Sequence, residues 1–422
     1  MGAPRVLIIS NNSFSNVFNN GKTLEALFSS FPKENIAQLY LHEGSEPDFS
    51  FCENYWKISE IDLIKSLRYG RERIGLKVER QQLTDTTNDT KQYPAFLKLI
   101  KDKTGNRFRD LLWCVLTWES PALRNWIKAF NPHVLFFVGS SAEFSSKIAL
   151  RLSSEYSLPL AVYYTDDYLF SQPNKTYFEK KEFRRVEKLY KQVINSSKAQ
   201  FAIGKMMAEE YGEYFKKSFV PVMNAVQIIM YEPLQQKDKL DIIYFGGLHL
   251  NRWRMLVRLS SLLPMNCALK VYTSLENVTD DVQSSFEAAQ ITYVGSLSGA
   301  ALREAMIKAD VLLHVESDDI QNRRFTRLAV STKIPEYLST GRPVLGFGPS
   351  EVASMRILSD NQIGIVVGSD ECDDAITNRL SHFLEDFQSR KELGKRGFEY
   401  AKMHFDKSVV SNKFREELMK LV

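Results

Sequence analysis

Short apolar runs alternate with amphipathic helical runs along this 422-residue chain, and the alternation occurs twice. In the first half, apolar runs at 5–10, 36–41, 134–138, 160–164 and 200–203 are interleaved with helical patterns at 22–31, 142–155 and 176–195. From 239 the rhythm restarts with "LDIIYFGG" and the helical "RWRMLVRLSSLL". "ALKVYT" and "ITYVGS" follow as strands, then the helical "GAALREAMIKA" and the strand "DVLLHVES". A short helix, "IPEYLST", precedes two last strands, "RPVLGFG" and "IGIVV". Strands alternating with helices imply βαβ units on a parallel sheet. Two such series imply two α/β domains, 1–223 and 239–400. The segment between them, 221–239, is polar and contains proline, which suits a linker. Residues 391–422 read as helical.

One block interrupts the rhythm. Residues 62–130 contain no clear strand and are rich in basic and aromatic residues, among them Trp113, Trp118 and Trp126. Within it, 65–80 carries six basic and two acidic residues. The block reads as a helical insertion in the first domain, with 81–92 as a polar loop and the tryptophans in its core.

Composition removes several function classes. A net charge of +4 gives no reason to expect a nucleic-acid partner. No apolar run reaches the length of a membrane span. The N-terminus lacks the basic, apolar and cleavage regions of a signal peptide, so none is expected. Cys52, Cys114, Cys267 and Cys372 stand apart with no CxxC pair, so neither a zinc site nor a disulfide frame is expected. A reduced, cytoplasmic compartment follows, with no resident metal or cofactor.

The stretch "NNGKT" at 19–23 ends like a phosphate-binding P-loop. That pattern needs an earlier glycine, at the position Asn16 occupies here, and no other glycine lies between Ser10 and Gly21. What remains is a strand, a polar turn and a helix with Leu24, Leu27, Phe28 and Phe31 on one face. Gly21 at the helix start either offers a bare backbone to an anion or simply begins the helix.

In two-domain α/β proteins a ligand binds where strands end and helices begin. Three junctions of the second domain fit. "YFGGLHLNRWRM" offers Gly246 and Gly247 for close backbone approach, with Arg252 beside the next helix start. "YVGSLSGAAL" places Ser296 after a strand. "STKIPEYLSTGRPVL" puts Glu336 in the first turn of a short helix, just after Lys333. A carboxylate can accept both hydroxyls of a ribose, and Lys333 and Arg252, with Arg323, Arg324 or Arg327 as further candidates, can neutralise a pyrophosphate. A nucleotide sugar has this chemistry. The competing reading is ordinary: Glu336 complements a helix dipole and the cations are solvated.

The "STKIPEYLSTGRPVLGFGPSE" stretch followed by "IGIVV" resembles the nucleotide-binding signature of GT-B glycosyltransferases, especially glycosyltransferase family 4. "IISNNSFSNVFNNGKTLEALF" and "FAIGKMMAEEYGEYF…FVPVMNAV" are similar to further stretches of that family, whereas 62–130 lies outside the resemblance. The resemblance implies two Rossmann-like domains facing a cleft, and transfer of a sugar from a nucleoside-diphosphate sugar without a metal, usually with retention. It implies that the last helix, within 401–422, packs back on the first domain. It assigns Gly21, Gly246, Gly247, Arg252, Ser296, Lys333 and Glu336 to the donor. Departures from the family pattern are specific. Of two tandem glutamates in the family, Glu336 matches the second and Leu328 occupies the place of the first, so Glu316, Asp318 or Asp319 is the substitute. The family's arginine after the first glycine is Gly247 here. Its N-domain histidine has no counterpart, and "YYTDDYLF" supplies Asp166 and Asp167 instead. An inverting reaction would use one of these two as the base, since the acceptor hydroxyl must lose its proton. The plainer alternative is that they cap the next helix.

On the acceptor side, Lys180, Arg184, Lys188 and Lys191 lie opposite Phe183, Val186, Tyr190 and Val193 on one helix. Together with 65–80 they imply a basic face suited to an anionic membrane surface at the inner face of the membrane, where a glycan or lipid-diphosphate-linked acceptor in bacterial surface polysaccharide synthesis would stand. The competing reading is a solvated helix face. Two other functions fit the same residues: a non-catalytic GT-B scaffold that binds nucleotide or carbohydrate, and a sugar-nucleotide epimerase.

Overall fold

The computed structural model describes residues 2–15, 19–42, 47–70, 72, 74–80, 105–172, 176–228 and 230–422. The chain divides into two compact units. One comprises Met1–Leu169, Pro173–Val222 and Ser411–Val422; the other comprises Phe170–Gln172 and Met223–Val410.

The first unit holds strands β1 (Val6–Ser10), β2 (Ile36–Tyr40), β3 (Asn54–Lys57), β4 (Leu76–Val78), β5 (Val134–Val138), β6 (Leu160–Tyr164), β7 (Ser197–Ala202) and β8 (Phe219–Pro221). Their order is β4-β3-β2-β1-β5-β6-β7-β8. Every pairing is parallel except β3–β4. β1, β2, β5 and β6 are buried along their whole length, as strands covered on both faces must be, and so appear in the sequence as continuous apolar runs. β3, β4 and β8 escape that reading because they are short and mixed, and owe their conformation to sheet pairing. β4 also corrects the expectation that 62–130 is free of strands. The helices Glu60–Tyr69, Gly105–Val115 and Pro121–Phe130 account for much of the rest of that block. The expected polar loop at 81–92 lies outside the described residues. Trp113, Trp118 and Trp126 are buried.

The last helix, Lys407–Met419, brings Phe414 into the core of the first unit, where its ring lies 5.2 Å from Phe28, 5.3 Å from Phe136 and 5.2 Å from Phe201. The hydroxyl of Ser411 donates to the carbonyl of Leu27.

The second unit holds β9 (Leu240–Phe245), β10 (Cys267–Tyr272), β11 (Thr292–Gly295), β12 (Val311–Val315), β13 (Val344–Gly348) and β14 (Ile365–Gly368), all parallel. Their order, β11-β10-β9-β12-β13-β14, is the doubly wound 3-2-1-4-5-6 arrangement. Alternate residues of β9 serve opposite cores: Leu240, Ile242 and Tyr244 one, Ile243 and Phe245 the other.

Candidate functional site

A doubly wound sheet has a crevice where the strand order reverses, because the chain leaves the two central strands in opposite directions. In the second unit these strands are β9 and β12. β9 ends at Phe245 and runs into Gly246, whose φ of 154° is one that L side chains rarely adopt. The hydroxyl of Tyr244 donates to the carbonyl of Gly247 at 2.7 Å and closes this turn. Leu250 and Asn251, both left-handed, complete it and deliver Arg252 to the first position of the helix Arg252–Ser260.

A cation at a helix N-terminus opposes the helix dipole. Here Glu316, just past the end of β12, answers it: Arg252 Nη2 lies 2.9 Å from Glu316 Oε2, and both side chains are largely buried. The other carboxylate oxygen of Glu316 lies 3.2 Å from His314 Nε2. Burial alone would raise the Glu316 carboxyl; the Arg252 and His314 contacts outweigh it and hold the group below the usual carboxylate range. This corrects the expectation that Glu316 faces a sugar. The side chain is buried, and both oxygens face partners within the unit, so it positions Arg252. Arg252 Nε is buried without a hydrogen-bond partner among the described residues. His249 Nε2 stands 3.3 Å from Arg252 Nη1, and partial desolvation together with that positive charge lowers the imidazole pKa.

A second charged pair stands on the helix Lys333–Leu338. Lys333 Nζ meets Glu336 Oε2 at 2.9 Å. One side chain anchors this short helix to the end of β9: the buried hydroxyl of Tyr337 accepts from Phe245 N and donates to Phe245 O, each at 3.1 Å. Burial holds the pKa of the Tyr337 hydroxyl well above its ordinary value, with Glu336 raising it further and Arg252 opposing. Burial lowers the pKa of Arg303, on the helix Gly299–Lys308, against the opposing charge of Glu336. Its Nη1 donates to Gln227 O at 3.3 Å, while its Nε and Nη2 are buried without hydrogen-bond partners among the described residues. The sequence reading missed Arg303. The same search along strand-to-helix junctions, extended one turn into "GAALREA", would have found it. Ser296 is exposed just beyond β11.

In the first unit, the two aspartates after β6 part company. Asp167 is fully buried, and its Oδ1 accepts from Tyr211 Oη at 2.8 Å and from Leu169 N at 3.0 Å. It braces the unit and is withdrawn as a base. Asp166 is partly exposed and accepts from Thr165 Oγ1 at 3.0 Å. Burial raises its carboxyl pKa, against hydrogen bonds from Thr165 and Tyr168. Gly21 also needs correction. It lies inside the helix Asn19–Leu27, and a Cβ on it would stand 2.6 Å from Ser15 N and 2.9 Å from Ser13 O. Its bareness serves packing against its own chain.

No family model matches this chain, and no curated protein matches it by sequence. Solved structures do resemble it in three dimensions. HepE of Anabaena in complex with UDP superposes with a TM-score of 0.63 at 11% identity, over 99% of this chain and 100% of that one. The same protein with UDP-glucose gives 0.60 at 11% identity, over 99% of each chain. Sucrose-phosphate synthase of Thermosynechococcus elongatus gives 0.63 at 11% identity, over 99% and 98%. WaaG, a glycosyltransferase involved in lipopolysaccharide biosynthesis, gives 0.59 at 12% identity, over 97% and 98%. The chain shares the GT-B fold of these structures.

Proposed function

We propose that this chain is a glycosyltransferase of the family 4 type, moving a sugar from a nucleoside-diphosphate sugar to a hydroxyl acceptor. One observation carries the reading. Tyr337 fastens the helix bearing Lys333 and Glu336 to the end of β9, beside the glycine turn that leads to Arg252. A ribose-binding carboxylate and diphosphate-binding cations thus share one strand-end rim. Arg303 joins the cations there, and the proposed chemistry uses no metal. HepE holds UDP and UDP-glucose, which makes uridine nucleotides the first donors to test. WaaG's place in lipopolysaccharide biosynthesis supports a glycan or lipid-diphosphate-linked acceptor in bacterial surface polysaccharide synthesis, on the cytoplasmic side of the membrane. We take the reaction to retain configuration, with Asp166 as the base if the product proves inverted.

The test is incubation with a panel of nucleotide sugars, in the presence and absence of EDTA, with the product anomer read by NMR. Transfer or slow donor hydrolysis that survives EDTA supports the proposal. A second reading, a binding scaffold without turnover, draws on the withdrawal of Glu316 and Asp167 into the fold. Nucleotide binding with no turnover on any donor favours it. Sugar interconversion without acceptor points instead to an epimerase.

A further inference from the structure

The helix Tyr177–Ser196 carries a surface that the proposed transfer does not use. Val186, Leu189, Tyr190, Val193 and Ile194 are its buried residues. Tyr177, Lys181, Arg184 and Lys188 recur at i, i+4, i+7 and i+11, which places them in one stripe on the opposite side. Tyr177 is 75% exposed and Phe178 73%. This aromatic pair stands on a well-formed first turn. Thr176 and Glu179 close a capping box there: the Thr176 side chain accepts from Glu179 N, and the Glu179 carboxylate accepts from Thr176 N at 2.8 Å.

The acids of the helix are already engaged. Glu179 belongs to the capping box, Glu182 pairs with Arg185, and Glu187 takes Lys191 and the hydroxyl of Tyr214. Lys180, Lys181, Arg184 and Lys188 are exposed and form no ion pair among the described residues. The stripe of Tyr177, Lys181, Arg184 and Lys188 is therefore positive, with Phe178 on one flank and Lys180 on the other, and the two aromatic rings stand at one end. Stranded rings of this size gain from entering an apolar phase, and tyrosine keeps its hydroxyl at the wet boundary.

We propose that this helix docks the protein on an anionic phospholipid surface, with Tyr177 and Phe178 entering the interface and the four cations meeting lipid phosphates. The docking rests on the glycosyltransferase reading only for its purpose, access to a lipid-linked acceptor; the binding itself needs no turnover. It commits to this helix alone. The helix Glu60–Tyr69 packs on Gly105–Val115, which packs on Glu143–Glu155, which packs on Tyr177–Ser196. The basic segment 65–80 thus starts three helices along the row, and the proposal does not draw on it.

Co-sedimentation with vesicles tests this. The full chain should bind phosphatidylcholine vesicles containing phosphatidylglycerol at low salt, bind pure phosphatidylcholine less, and dissociate from the anionic vesicles as the Debye length shortens. Replacing Lys180, Lys181, Arg184 and Lys188 by Gln should weaken binding about fivefold per cation. The double variant Tyr177→Ser, Phe178→Ser should weaken it at least about tenfold, since two apolar anchors are lost. Unchanged circular dichroism and nucleotide affinity in the variants would show that the fold and the second unit are intact. Equal binding to both vesicle types, binding to neither, or parental binding by the aromatic variant overturns the proposal. So does a dimer that dissociates in Phe178→Ser, because a second copy would then be the occupant. Failure to bind vesicles in a chain that still transfers sugar removes the docking surface alone.

Discussion

Arg252 and Glu316 meet at 2.9 Å across the position in the second sheet where the strand order reverses. One follows β9 and the other follows β12, the neighbouring strands at that reversal. Their pairing joins the two connections that diverge from the crevice and holds a guanidinium at its rim. Removing the negative partner leaves a buried, uncompensated cation. Glu316→Gln should therefore cost about 3–5 kcal/mol of stability, measured by denaturant unfolding. The pH dependence follows from the lowered Glu316 pKa. The contribution is fully present above the ordinary carboxylate value of 4.5 and is lost as pH falls through the lower folded value. The parent should lose this contribution on acidification, and the Gln variant should show a flatter profile in that window.

Glu336→Ala should weaken nucleoside-diphosphate binding by roughly 1–3 kcal/mol, the scale of lost charge-assisted hydrogen bonds. Stability should barely change, because Tyr337 and not Glu336 anchors the short helix to Phe245. Calorimetric titration with UDP and GDP reads the first effect. Unchanged affinity would remove Glu336 from the site. Tyr337→Phe should do the reverse to the fold, lowering stability by about 1–3 kcal/mol as the main-chain groups of Phe245 lose a buried partner.

Gly21→Val should destabilise the first unit by about 1–3 kcal/mol, since the added carbons collide with the backbone of Ser13 and Ser15. Any loss of transfer should follow from that unfolding. Lys22→Ala should keep most activity, and neither variant nor parent should hydrolyse ATP or GTP with magnesium. Lys22-dependent triphosphate hydrolysis would restore the P-loop reading.

Asp166→Asn should suppress transfer while nucleotide affinity stays at the parental level, if Asp166 is the base. Because burial raises its pKa, the carboxylate is present only above that raised value, and the rate should fall on acidification from a higher pH than an ordinary aspartate gives. Asp167→Ala should act on stability, by about 1–3 kcal/mol, through the unpaired Tyr211 hydroxyl. Full transfer by Asp166→Asn, with an inverted product, would remove the assignment.

Phe414→Ala should cost about 3–5 kcal/mol in thermal or denaturant unfolding of the first unit, as expected for a large ring withdrawn from a packed aromatic cluster.

The period of the apolar pattern was enough to place the central parallel strands and their helices, because strands covered on both faces must be apolar along their length. β1, β5 and β12 are plain in "VLIIS", "VLFFV" and "VLLHV" for that reason. The junctions after them were legible too, since glycine turns and proline starts obey local backbone rules. β3, β4 and β8 depend on pairing with a distant neighbour, and no local pattern specifies that. The same limit applies to charged side chains. Glu316, Asp167, Asp166 and Glu336 are alike in sequence as acids near strand ends. Tertiary structure separates them: it surrounds Glu316 with Arg252 and His314, closes Asp167 behind Tyr211, leaves Asp166 partly exposed and sets Glu336 beside Lys333. Burial and partners, which exist only once the chain has packed, set what each carboxylate can reach.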